Sequence, residues 1–191
     1  MIEPFLLDTD VYFLFFQNPK SDSYYNLIKK IKTSDIISFY ISAITSMEVH
    51  SVLGKYRRQS PSPPQDCERR IVSADDSVMC QNTWVPPKKK RMKLKVFHDM
   101  RKYILDIQSG RGKIKAEILG IENSSLSRGE SLLMKYADRY SIGSHDAAIA
   151  GTLLETRDKQ KISLTMVTFD KSLKATLREE GVPVFDPSKD F

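Results

Sequence analysis

Residues 137–174, ADRYSIGSHDAAIAGTLLETRDKQKISLTMVTFDKSLK, restrict the possible folds more than any other stretch of the chain. They read as helix, turn, helix, strand. Ser144 is placed to N-cap a helix over about 145–158, which puts Asp146 in the first turn. Asp146, Ile149, Ala150, Leu153 and Leu154 fall at i, i+3, i+4, i+7 and i+8, so the acid heads the apolar stripe and turns inward. Leu164–Thr168 is a short, β-branched apolar run, a buried strand, and Asp170 follows its C-terminal end. In open α/β sheets, ligands bind beyond the carboxyl ends of the strands. The stretch therefore predicts an α/β fold with two acids aimed at one crevice. Each acid also has a structural use: Asp146 complements the helix dipole, and Asp170 is placed to cap a helix over Lys171–Glu179.

The same grammar recurs upstream. Phe5–Asp8 is an apolar run closed by an acid, so Asp8 stands at its strand end as Asp170 does. Asp10 is read as the cap of the apolar segment Val11–Phe16, which Pro19 ends. Tyr24, Leu27, Ile28 and Ile31 predict a helix over Ser23–Lys32, and Ile36–Ile41 a second strand. Thr45-x-x-Glu48 then opens a helix with Val49, Val52, Leu53 and Tyr56 inward. The capping-box pattern accounts for Glu48 by itself. A glutamate in the first turn after a strand also points to the carboxyl edge of the sheet. Phe97, Met100, Ile104 and Ile107 predict a helix through Ser109, stopped by Gly110. Ile118–Ile121 reads as a strand, and Ser127-x-x-Glu130 as a second capping box, starting a helix with Leu133, Tyr136, Ala137 and Tyr140 inward. Val182–Phe185 is a final strand.

Between these patterned parts, residues 59–93 are rich in Pro, Ser and charge and show no period. They are too many for an ordinary loop. We read them as a loop-like or partly disordered insertion within a single domain spanning 1–191. The net charge of +6 is unevenly spread: residues 55–115 hold 16 Lys/Arg against 6 Asp/Glu, and the rest 14 against 18. Such a basic region suits a polyanion, although a solvated loop face accounts for it equally on charge alone. Lys88, Lys89, Lys90, Arg91, Lys93 and Lys95 are the candidate contacts to a nucleic-acid backbone. Trp84 is placed either to stack on a base or to pack the insertion onto the body. Cys67 and Cys80 have no neighbouring His or Cys pair and read as free thiols. No apolar run approaches the roughly 18 residues of a membrane span. The start MIEPFLLDTDVYFLFF has acids within it and no basic flank, unlike a signal peptide. The expectation is a cytoplasmic protein with no membrane partner.

Four acids thus share one predicted address: Asp8 and Asp170 end strands, and Glu48 and Asp146 begin helices. Four carboxylates ionise side by side only if cations compensate them. All-oxygen ligation suits Mg²⁺ or Mn²⁺, and two such ions about 3.5–4 Å apart clamp a phosphodiester and activate water. In sequence order, FLLDTDVY, ISAITSMEV, IGSHDAAIAGTLL and LTMVTFDKSLK resemble the PIN domain, specifically the VapC-type toxin ribonucleases, over all but the insertion. The resemblance implies a three-layer α/β sandwich whose central, mostly parallel sheet is flanked by helices. It also implies an Mg²⁺- or Mn²⁺-dependent endoribonuclease with Asp8, Glu48, Asp146 and Asp170 as catalytic metal ligands. Thr9 and Thr168 then supply supporting hydroxyls. The implied partners are RNA, an antitoxin protein and a second copy of the chain. The long insertion departs from the compact toxins and bears on both the antitoxin groove and the substrate path. Two other classes stand beside this one. Asp8-x-Asp10 after a strand also fits a haloacid-dehalogenase-like phosphatase, and a PIN-like RNA-binding module without catalysis needs none of the acids. His50, His98 and His145 form no arrangement with the cysteines for covalent catalysis.

Overall fold

The computed structural model describes residues 4–58, 65–66, 70–73, 76–79, 83–84 and 91–189. Strand β1 (Phe5–Leu7) leads into the short helix α1 (Thr9–Tyr12) and a 3₁₀ turn (Phe13–Phe16), followed by α2 (Asp22–Ile31). Strands β2 (Lys32–Thr33) and β3 (Ile36–Ser42) precede α3 (Ala43–Arg58). Short strands β4 (Gln65–Asp66), β5 (Arg70–Ser73), β6 (Asp76–Met79) and β7 (Thr83–Trp84) follow, then α4 (Leu94–Gln108) and β8 (Ile114–Leu119). The chain closes with α5 (Asn123–Tyr136), α6 (Ser144–Gln160), β9 (Thr165–Val167), α7 (Lys171–Glu179) and β10 (Val184–Phe185).

In the main sheet β10, β9, β1 and β3 lie side by side, all parallel, and β3 also pairs parallel with β8. Only β2 runs antiparallel, against the start of β3. Strand alternation sorts the side chains into two cores. Phe5, Leu7, Phe39, Ile41 and Val167 join residues of α1 to α4 on one face. Leu6 and Met166 join residues of α5, α6 and α7 on the other. This is the expected three-layer α/β sandwich. Parallel strands covered on both faces read as short, wholly apolar runs, which is why FLL and TMV were visible in the sequence. Among the described residues, no helix is long and apolar enough to cross a membrane.

Several boundaries differ from the expectation. Helix α3 starts at Ala43, because Ser42 Oγ accepts from the Thr45 amide at 3.0 Å. Thr45 is therefore inside the helix, and the Thr45–Glu48 capping box does not form. Helix α5 starts at Asn123, so Ser127 and Glu130 also lie within a helix rather than at its head. Tertiary packing overrides the weak helix preference of Asn-Ser-Ser here. Gly129 and Gly151 let α5 and α6 touch through backbone: a methyl on Gly129 would lie 2.8 Å from Ala147 O, and one on Gly151 2.2 Å from Ser125 O. Finally, β8 occupies 114–119 rather than 118–121, pairing along the whole of 37–42. Lys115 and Glu117 interrupt its apolar residues and hid it.

Within 59–93, expected to be loop-like, β4 pairs with β7 and β5 with β6, both antiparallel and in a single shared register. Cys67, Cys80, Lys88, Lys89 and Lys90 lie outside the described residues.

Candidate active site

Because β1 and β9 are neighbouring parallel strands, the residues after them emerge at the same sheet edge. Asp8 follows β1 and N-caps α1. Its Oδ1 accepts from the Thr9 amide at 2.7 Å, and its Oδ2 from Thr168 Oγ1 at 2.7 Å. Thr168, just past β9, also accepts the Asp170 amide at 3.0 Å. Asp170 N-caps α7 by accepting from the Leu173 amide at 2.6 Å. Asp10, expected to be the cap of the first helical segment, is instead exposed beyond Asp8.

The other two acids arrive on helices from opposite faces of the sheet. Glu48, in the second turn of α3, accepts from Thr9 Oγ1 at 2.5 Å, and its other oxygen meets His145 Nδ1 at 2.8 Å. Gly143, not Ser144, is the N-cap of α6. Asp146 is therefore the third residue of that helix and reaches back to the Gly143 amide at 3.3 Å. All four acids line one cavity of about 340 Å³. Asp10, Ser51, Lys55 and His145 line it too.

The electrostatics are those of crowded carboxylates. Burial pushes the Asp8 carboxyl up to about 6, against the hydrogen bonds from Thr168 and Thr9, and the charges of Asp146 and Asp10 push the same way. Burial likewise raises Asp146; the Gly143 amide opposes this, and Asp170 and Glu48 add repulsion. Among the described residues, no three carboxylate, imidazole or thiolate groups stand already gathered around one point. Each acid is held instead by a protein donor. The donor set is nonetheless one of carboxylate oxygens under mutual repulsion, which fits a hard divalent cation.

Of the expected phosphate-binding cations, the three described ones lie away from the acids. Arg91 donates from Nε to the Arg57 carbonyl at 3.0 Å, and Lys93 and Lys95 are exposed at the start of α4. None of the three lines the acidic cavity. Lys55, which the sequence reading passed over, does. Its signal was spacing: Ser51, Val52 and Lys55 stand three, four and seven residues after Glu48, on the same helical face. His145, which the sequence ties to no catalytic arrangement, also lines the cavity. Its side chain is 69% exposed, yet it is paired with Glu48.

No protein-family model matches the sequence, and no curated protein matches it. Solved structures do. FitAcB from Neisseria gonorrhoeae aligns over 97% of this chain and 99% of its own, at 16% identity and a TM-score of 0.56. FitAB bound to an IR36 DNA fragment aligns over 98% and 97%, at 18% identity and a TM-score of 0.57. The fold is the PIN-domain, VapC-like one.

Proposed function

We propose, with the PIN-like fold as premise, that the protein is a metal-dependent endoribonuclease acting as the toxin of a toxin–antitoxin module. The observation that carries this is the meeting of Asp8, Glu48, Asp146 and Asp170, from four separate elements, around one cavity at the carboxyl edge of a parallel sheet. These four residues would hold Mg²⁺ or Mn²⁺. Such ions, when bound, acidify water and stabilise the charge that develops on a phosphodiester.

The chain's own residues do the positioning. Thr168 and the Thr9 amide fix both oxygens of Asp8. Thr9 and His145 hold Glu48 over the cavity, where its carboxylate can accept a proton from an attacking water. Lys55 places a cation on the wall of the cavity, suited to a phosphate oxygen of the incoming strand. Arg91, Lys93 and Lys95, with Lys88, Lys89 and Lys90, would contact the backbone farther along without reading sequence. An antitoxin and a second copy of the chain are the protein partners proposed. The phosphatase alternative would use Asp8 as nucleophile and Asp10 as acid, and it gives no role to Glu48, which lines the same cavity.

Purified protein incubated with RNA, single-stranded DNA and p-nitrophenyl phosphate, in Mn²⁺ or in EDTA, tests the proposal. RNA should be cut in Mn²⁺ alone, and Asp146→Asn should be inactive though folded by circular dichroism. Hydrolysis of the monoester without RNA cleavage would establish the phosphatase instead. RNA binding without cleavage would establish the binding module.

A further inference from the structure

A second cavity, of about 540 Å³, adjoins the acidic one and shares Asp10 and Val52 with it. Its walls carry four aromatic rings among aliphatic and methionine side chains: Phe13 and Phe16 from the 3₁₀ turn, Tyr56 from α3 and Phe169 from the loop after β9. The two cavities alternate along the chain. On α3, Lys55 faces the acids and Tyr56 the rings; after β9, Phe169 lines the second cavity and Asp170 the first. On both sides, consecutive residues face the two environments.

We propose that this second cavity is a nucleobase subsite, taking one unpaired base of RNA beside the phosphate held at the acids. The proposal rests on the nuclease reading and deepens it. A cavity meant as core would seal its rings, whereas Tyr56 is 53% exposed and Gln17 and Asp10 are exposed at the rim. Ring faces stack on any base, since every base has a π-face. Gln17 supplies both a donor and an acceptor, and Asp10 an acceptor, for the base edge.

The basic segment completes the path. Met92 lines the cavity, with its amide held by the Tyr56 carbonyl at 3.4 Å. Its chain neighbours, Arg91 and Lys93, are exposed cations, which in this reading would meet the next phosphate of a strand leaving the acids. A base-paired nucleotide cannot present its face to the rings, so the substrate class is single-stranded or looped RNA. This also gives the exposed Tyr56 a use that packing alone does not.

The test has two arms. In EDTA, where no cutting is expected, a single-stranded RNA carrying 2-aminopurine should be quenched on binding. Tyr56→Ala should lose the quench and Tyr56→Phe should keep it. In Mn²⁺, an abasic nucleotide is walked through positions flanking the mapped cut. One position should raise KM by roughly five- to hundredfold, the range that a base stacked on an aromatic contributes. Tyr56→Ala should raise KM similarly on intact RNA and add little on that abasic RNA. Cleavage insensitive to abasic substitution at every position overturns the subsite and leaves the nuclease reading standing. Quenching lost in Tyr56→Ala without any cleavage does the reverse. If Tyr56→Ala changes neither arm but weakens capture of a partner protein, the cavity is a protein-docking groove and the proposal falls.

Discussion

Replacing Asp8 by Asn should stabilise the metal-free protein while destroying its proposed activity. Asp8 is 7% exposed, and its carboxyl is moved from 3.8 to about 6, chiefly by burial. That displacement corresponds to about 3 kcal/mol against the charged form. The folded state binds the proton more tightly than the unfolded chain. Asp8's contribution is therefore fully favourable below pH 3.8 and is lost as pH rises through about 6. A neutral amide escapes this penalty at pH 7.5. It also has a single acceptor oxygen for two donors, the Thr9 amide and Thr168 Oγ1, and losing one such bond costs about 1.5 kcal/mol. The net gain is about 1–2 kcal/mol, or roughly 2–6 °C in melting temperature for a domain of this size. Differential scanning fluorimetry in EDTA at pH 7.5 and pH 4 reads it directly. The advantage should appear at pH 7.5, shrink toward pH 4, and reverse when Mn²⁺ is added, because only the wild type gains from the ion. A variant that melts lower at pH 7.5 in EDTA, or an advantage of equal size at both pH values, would refute the claim that Asp8 is a charge held against its burial.

Glu48→Gln should barely move the melting temperature, because Ser42 and not a Thr45–Glu48 box caps α3, yet RNA turnover at saturating Mn²⁺ should fall by about a hundredfold or more. Near-normal turnover would leave three essential acids. Gly151→Ala should destabilise by about 3 kcal/mol in urea titration, since the new methyl would meet Ser125 O at 2.2 Å; the shifted α6 should also displace Asp146 and lower activity. Neutralising Lys88, Lys89, Lys90 and Arg91 together should weaken RNA binding and flatten the slope of log affinity against log salt, with cleavage positions unchanged. An unaltered slope would return the segment to a solvated surface.

What was legible in the sequence follows from how each element is buried. β1 and β9 are covered on both faces, so their residues are apolar without interruption, and the acid that ends each run stands out. Lys171–Glu179 was bounded correctly because Asp170 is a cap with a strong side-chain signal. β8 carries Lys115 and Glu117 and offered no such run. The start of α5 was hidden because small residues there serve a close helix crossing, and a glycine in a sequence does not say what comes near it. Glu48 could not be decided from spacing, since Ser42 and Thr45 stand in equally plausible capping positions. The cavity-facing side of α3 at Ser51 and Lys55 was readable by period, but nothing marked that face as a wall rather than solvent.

Capping and metal binding had looked like competing explanations for these acids, and the geometry makes them one. A helix that follows a parallel strand begins at the strand's carboxyl end, so its N-cap is already at the sheet edge where ligands bind. Asp8 and Asp170 cap helices because they stand there, and they stand at the cavity for the same reason. Asp146 reaches back to the Gly143 amide from the third position of α6 and so joins them from the head of a third helix. The amides at these helix starts carry partial positive charge and offset part of the carboxylate repulsion before any cation arrives. Glu48 is the exception. Among the described residues no backbone amide holds it; two side chains do, Thr9 and the exposed His145. Of the four acids, Glu48 is therefore the one free to re-aim when an ion or a water enters, and the other three are the fixed frame around it.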